Sequence, residues 1–137
     1  MIEHIAPEIL AEAAITWQGD CARAGIEIRS LELAAEIRHA QAIFDLVWPP
    51  LEGATQVTPN LLRAITHSGG YCSAAYINDE PVAAALAIVG LHATDSGPHV
   101  HLHSHMAGVL DEYRNRRIGT MLKAHQRWWA MSRGIDT

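Results

Sequence analysis

Met106-Ala107-Gly108-Val109-Leu110-Asp111-Glu112-Tyr113-Arg114-Asn115-Arg116-Arg117-Ile118-Gly119-Thr120-Met121-Leu122 is the most informative stretch of this 137-residue chain. A strand-like apolar segment gives way to a short polar turn, and helical spacing begins near Ile118. The start of a helix presents unpaired backbone N–H groups and the positive end of the helix dipole, and both favour a phosphate. Gly119 has no side chain, so backbone can approach a ligand there, and Arg114, Arg116 and Arg117 add positive charge at the same point. A strand, turn and helix of this composition can cradle a pyrophosphate. The residues alone leave open the alternative of a solvated basic helix start.

The charge of the whole chain supports a small anionic ligand rather than a polyanion. The formal net charge is −5, with 49% hydrophobic and 18% charged residues, which excludes a disordered chain. Residues 1–112 carry 14 acidic and 4 basic side chains, whereas residues 113–137 carry 1 and 6. An acidic body argues against nucleic-acid binding, which draws on a basic face. The longest uncharged apolar run, residues 82–91, is far short of the ~20 residues that cross a bilayer. The start of the chain has no basic region before an apolar one, so no signal peptide is expected. Cys21 and Cys72 form no metal-like pair, and a reduced, cytoplasmic setting is the expectation.

Working outward from the central stretch, residues 117–132 read as a helix with Ile118, Met121, Leu122, His125 and Trp129 on one face. Upstream, residues 100–110 read as a strand and 94–98 as a loop. Residues 71–77 and 82–91 read as two strands joined by the turn Asn78-Asp79-Glu80. Residues 7–23 predict a helix opened by Pro7 and stopped by Gly25. Residues 26–31 alternate as a short strand. Residues 32–47 predict a helix with Leu33, Ile37, Ala40, Phe44 and Val47 on its stripe, ended by Pro49-Pro50. Thr58 as cap and Pro59 as first residue open another helix, with Leu61, Leu62 and Ile65 as its buried face. Ile135-Asp136-Thr137 reads as the first residues of a further strand. The order predicts an α+β sandwich in which helices flank a mostly antiparallel central sheet.

The run from Val109 to Thr120 resembles the acetyl-CoA-binding motif of the GNAT superfamily of N-acetyltransferases, Gln/Arg-x-x-Gly-x-Gly/Ala. Tyr113, Arg114, Arg116, Ile118 and Gly119 match, and Arg117 stands where the first motif glycine usually sits. The upstream order also fits the first two-thirds of that acyl-CoA N-acyltransferase fold. The resemblance covers residues 26–137, with residues 1–25 as an amino-terminal helical extension. It implies transfer of an acetyl or acyl group from acyl-CoA to an amine by direct attack on the thioester. It also implies that Gly108, Val109 and Leu110 face the pantetheine arm. Arg114, Asn115, Arg116, Arg117, Ile118, Gly119 and Thr120 would hold the pyrophosphate. A backbone N–H near Val109 or Leu110 would polarise the thioester carbonyl. The partners implied are an acyl-CoA and an amine of unknown identity, with acetyl-CoA as co-substrate and neither nucleic acid nor membrane involved.

The remaining chemistry-bearing residues admit more than one reading. His99-Val100-His101-Leu102-His103-Ser104-His105 would put four imidazoles on one face of a strand. An imidazole's ordinary pKa of about 6.5 suits a general base. His105 and His103 lie nearest the expected thioester and are the candidates for that role. The rivals are zinc binding through imidazoles at i and i+2, with no supporting acid in the run, and plain packing on a half-buried sheet. No metal is expected for the transferase itself. Trp48 either lines the acceptor pocket or anchors the core. The family plan continues with a fifth strand beyond the cofactor helix, while this chain stops at Thr137. That predicts a partial domain with an open sheet edge, prone to homodimerise there, and leaves a non-catalytic CoA-binding or interaction remnant as the alternative function.

Overall fold

The computed structural model describes residues 4–137. Its elements are α1 (Pro7–Ala24), β1 (Glu27–Ser30), α2 (Ala34–Val47), α3 (Pro59–His67), β2 (Tyr71–Ile77), β3 (Glu80–Thr94), β4 (Gly97–Val109), a 3-10 turn (Asp111–Tyr113) and α4 (Ile118–Met131). The four strands form one sheet in the order β1-β2-β3-β4, every pair antiparallel. Among the described residues no helix is long and apolar enough to cross a membrane.

Helices cover both faces of the sheet. On one, Ile37, Ala40, Ile43 and Phe44 of α2 and Leu62 of α3 pack on Cys72, Ala74, Tyr76, Ala84 and Leu86. On the other, Ile118, Met121, Leu122 and Trp129 of α4, with Cys21 of α1, pack on Tyr71, Ala75, Ala83, Ala85 and Ala87. Ala83, Ala84, Ala85 and Ala87 of β3 are buried, on both sides of the sheet. Alanine has poor strand propensity, but its small side chain lets helices approach the central strand closely, and the burial decides the conformation. The apolar stripes of α2 and α3 lose one residue each relative to the sequence reading. Leu33, the N-cap of α2, and Leu61, in the first turn of α3, are exposed.

The local signals act as expected at most ends. Thr58 Oγ1 accepts a hydrogen bond from Leu61 N at 3.2 Å, capping α3. Gly25 closes α1 in the left-handed region, φ 68°. Asn78 and Asp79, φ 49° and 64°, make the two-residue turn between β2 and β3. The β3–β4 hairpin is longer than its apolar pattern suggested. Thr94 pairs with Gly97 and leaves a tight turn at Asp95-Ser96 in place of a loop, since ladder pairing continues through polar residues.

Two features of β4 position the site. Leu86 pairs with Met106 and Ala87 with Ser104, so His105 is an extra residue, a β-bulge. His99, His101 and His103 keep one face through their partners His92, Gly90 and Ile88, but the bulge breaks the alternation before His105. The four histidines therefore do not share one regular face. Second, β4 is an edge strand. Residues 132–137 form no strand. Among the described residues, one backbone bond, Leu102 N to Thr137 O at 2.7 Å, joins them to that edge.

Candidate functional site

The site is assembled where β4 ends and α4 begins. Leu110 N–H donates to the Val82 carbonyl at 2.9 Å. In an antiparallel ladder the backbone groups alternate in direction, so those of Ala107 and Val109 turn to the open edge. Of the two N–H groups considered for a thioester carbonyl, that of Leu110 is thus engaged within the sheet, and that of Val109 faces outward.

The chain then turns through the 3-10 segment into a loop with two left-handed residues, Asn115 (φ 64°) and Arg117 (φ 62°), separated by Arg116. Left-handed residues alternating with others in this way are the backbone pattern of the anion-binding nest. Arg117 is the N-cap of α4 and makes no side-chain cap bond. The first bond of the helix is Met121 N to Arg117 O, 3.1 Å. The N–H groups of Ile118, Gly119 and Thr120 are the orphans of the helix start. Ile118 is 1% exposed, and burying a side chain of this kind is worth about 1.5–3 kcal/mol, which seats the helix start against the sheet.

These groups open into a cleft of about 680 Å³. Val47, Trp48, Ala107, Gly108, Val109 and Tyr113 form one part of its wall, and Arg114, Asn115, Arg117 and residues 118–120 the other. The two glycines differ. A Cβ on Gly108 would meet Val47 at 3.1 Å and Trp48 at 3.2 Å, so that glycine lets α2 close against β4. A Cβ on Gly119 would meet only Val109, at 4.0 Å. Gly119 is therefore not required by protein packing, and the space before it is open to a ligand.

The structure brings most of the sequence-chosen residues to this cleft but not all. Arg116 lies over the Tyr113 ring at 5.3 Å and lines a neighbouring hollow with Arg23 and Asp20. Arg114 pairs with Asp111 at 3.1 Å; both are largely exposed, so the pair adds little stability. Leu110 faces a separate hollow with Leu46 and Glu112. His103 and His105 are exposed, with ring centroids 5.9 Å apart. Neither lines the cleft. His105 is two strand residues from Ala107, about 7 Å along the chain, and His103 about twice that. Trp48 packs near Phe44 (ring centroids 6.3 Å) and lines the cleft. Val47 was missed; it lies one residue from Trp48 and reads simply as core.

A buried polar network fixes α4 behind the cleft. Ser73 Oγ donates to Tyr71 Oη (2.5 Å), and Tyr71 Oη and His125 Nδ1 share a hydrogen bond (2.8 Å). Burial holds the His125 pKa down at about 4, with the Arg133 charge as a smaller cause. Burial also pushes the Cys72 thiol up to about 12, so it is no nucleophile. Among the described residues no group of three His, Cys, Asp or Glu side chains is placed to hold a metal.

The model of the acetyltransferase (GNAT) family matches residues 40–137. No curated protein matches the sequence. Several solved structures share the fold. An aminoglycoside acetyltransferase, meta-AAC0020, from an uncultured soil metagenomic sample in complex with sisomicin superposes with a TM-score of 0.67 at 13% identity, over 83% of this chain and 75% of that one. Aminoglycoside N-acetyltransferase AAC(6')-Iy in complex with CoA gives 0.58 at 19% identity, over 81% and 72%. A GNAT family acetyltransferase of Staphylococcus aureus gives 0.61 at 11% identity, over 82% of each chain. With the family model spanning the cleft, the nest and α4, this chain belongs to the GNAT family of acetyltransferases.

Proposed function

We propose that this chain binds acetyl-CoA in the cleft between β4 and α4 and transfers the acetyl group to an amine. The observation that carries the reading is the start of α4: orphan N–H groups at residues 118–120, the left-handed Asn115 and Arg117, and open space before Gly119, all at one cleft. A pyrophosphate suits that constellation by charge and by hydrogen bonding. In this reading residues 26–137 carry the transferase domain and residues 1–25 an amino-terminal extension. The pantetheine arm lies along the open edge at Ala107 and Val109, and the Val109 N–H donates to the thioester carbonyl. The amine nitrogen attacks the carbonyl carbon, the C–S bond breaks, and CoA leaves as thiolate and takes up a proton. His105, nearer the cleft than His103, accepts the proton lost by the amine, directly or through water. Trp48 flanks the acceptor.

Calorimetry with acetyl-CoA tests binding. Thiol release with a panel of amines tests transfer, and the panel includes sisomicin, the ligand of one similar structure. Saturable heat and amine-dependent thiol release are expected. No heat with acetyl-CoA overturns the proposal. Heat without release from any amine reduces it to CoA binding alone.

A further inference from the structure

The start of α4 borders a second hollow besides the cleft. Its volume is about 250 Å³, and its wall includes Asp20 and Arg23 from α1 together with Arg116, Arg117 and Thr120. Arg117 and Thr120 also line the cleft, so the two hollows adjoin across these residues. The family model matches residues 40–137, and α1 precedes them. The amino-terminal extension therefore brings its own side chains next to the cleft.

The charges of this hollow favour an anion. Three guanidinium groups line it against one carboxylate, that of Asp20, an excess of two positive charges. Arg23 Nη2 pairs with Asp20 Oδ1 at 2.5 Å. Both side chains are exposed, so the pair is weak and an incoming anion can share the guanidinium. Gly19 helps to place Arg23. A Cβ there would sit 3.3 Å from Arg23 Nη1, so the bare backbone lets the guanidinium lie back along α1. Among the described residues neither Arg116 nor Arg117 pairs with a carboxylate. The Arg116 guanidinium lies over the Tyr113 ring instead, 5.3 Å from its centroid.

We propose that this hollow receives the ribose 3′-phosphate of CoA, with Arg23 and Arg116 as its cationic contacts. The inference rests on the reading that the pyrophosphate sits at residues 118–120. In CoA one ribose separates the 3′-phosphate from the pyrophosphate, and Arg117 with Thr120 forms the wall common to the two hollows. A phosphate monoester carries a charge of about −1.5 to −2 at pH 7, which matches the excess of positive charge. Arginine presents its N–H groups as a planar fork that meets two phosphate oxygens at once. The extension thereby selects CoA over carriers that offer the pantetheine arm without a 3′-phosphate.

The test is calorimetry of the whole chain with CoA and, separately, with 3′-dephospho-CoA at low ionic strength. CoA should bind about tenfold more tightly than 3′-dephospho-CoA. Arg23→Gln should weaken CoA about threefold to tenfold and leave 3′-dephospho-CoA unchanged, and Arg116→Gln should do the same. Equal affinity for the two ligands, or unaltered CoA binding in Arg23→Gln, overturns the 3′-phosphate site and leaves the cleft in place. If Arg23→Gln weakens both ligands alike, Arg23 acts through the fold and the site is overturned as well. No saturable heat with either ligand overturns the reading of the cleft itself, and this site with it.

Discussion

Substitution of Gly119 separates the needs of the ligand from those of the fold. A Cβ at this position meets only Val109 Cγ2, at 4.0 Å, an ordinary contact, and the residue lies in the first turn of α4 with no left-handed backbone. Gly119→Ala should therefore relieve the entropic cost of glycine in a helix and stabilise the free protein by up to about 1 kcal/mol. For a domain of this size that is a rise in Tm of about 3–6 °C. In the complex the same methyl group projects toward the place where a phosphate oxygen must come within about 3 Å of the Gly119 N–H. Loss or lengthening of one charge-assisted hydrogen bond is worth about 1.5–3 kcal/mol, so acetyl-CoA should bind roughly tenfold to a hundredfold more weakly, and Gly119→Trp should abolish binding. Thermal melts and calorimetry on the same samples read both quantities. Higher stability with unchanged affinity would refute the phosphate site; lower stability would refute the assignment of free space.

Three further outcomes follow from other residues. Arg117, left-handed at φ 62°, occupies the position where the family motif has glycine, so Arg117→Gly should raise stability by about 1 kcal/mol in a urea melt; a loss would show that the arginine side chain secures the turn. The His125 pKa of about 4 lies below the ordinary 6.5, so the unfolded chain binds the extra proton first. Stability should be full above about pH 6.5 and fall by up to about 3 kcal/mol toward pH 4. His125→Phe should flatten that dependence, and an unchanged slope would sink the assignment. Gly108→Ala places a methyl group 3.1–3.2 Å from Val47 and Trp48; overpacking of this kind costs about 1–3 kcal/mol, and unaltered denaturation midpoints would show that α2 is not held tightly against β4.

The helices, the hairpins and the strand-to-helix turn were legible because each rests on local chemistry. Thr58-Pro59 caps, Gly25 stops, Asn78-Asp79 turns, and the α4 stripe of Ile118, Leu122 and Trp129 repeats at the helical period. The bulge at His105 was not legible. It arises from a mismatch of one residue between two strands, and no residue of β4 announces it. The same mismatch undid the expectation of four aligned histidines. Nor could spacing show that Leu110 spends its N–H on Val82 while Val109 turns outward.

The sequence by itself determined that helix-start backbone, glycine and arginine lie together at residues 113–120, because they are covalently adjacent there. It also determined the α+β sandwich, through periodicity and turn residues. Only the tertiary structure decided which distant groups meet: Val47 and Trp48 against Gly108, His125 with Tyr71 and Ser73, and His92 with His101 across Gly90. Those pairings depend on register and on the contact of helix with sheet. They are set by the packing of the whole chain and not by any segment of it.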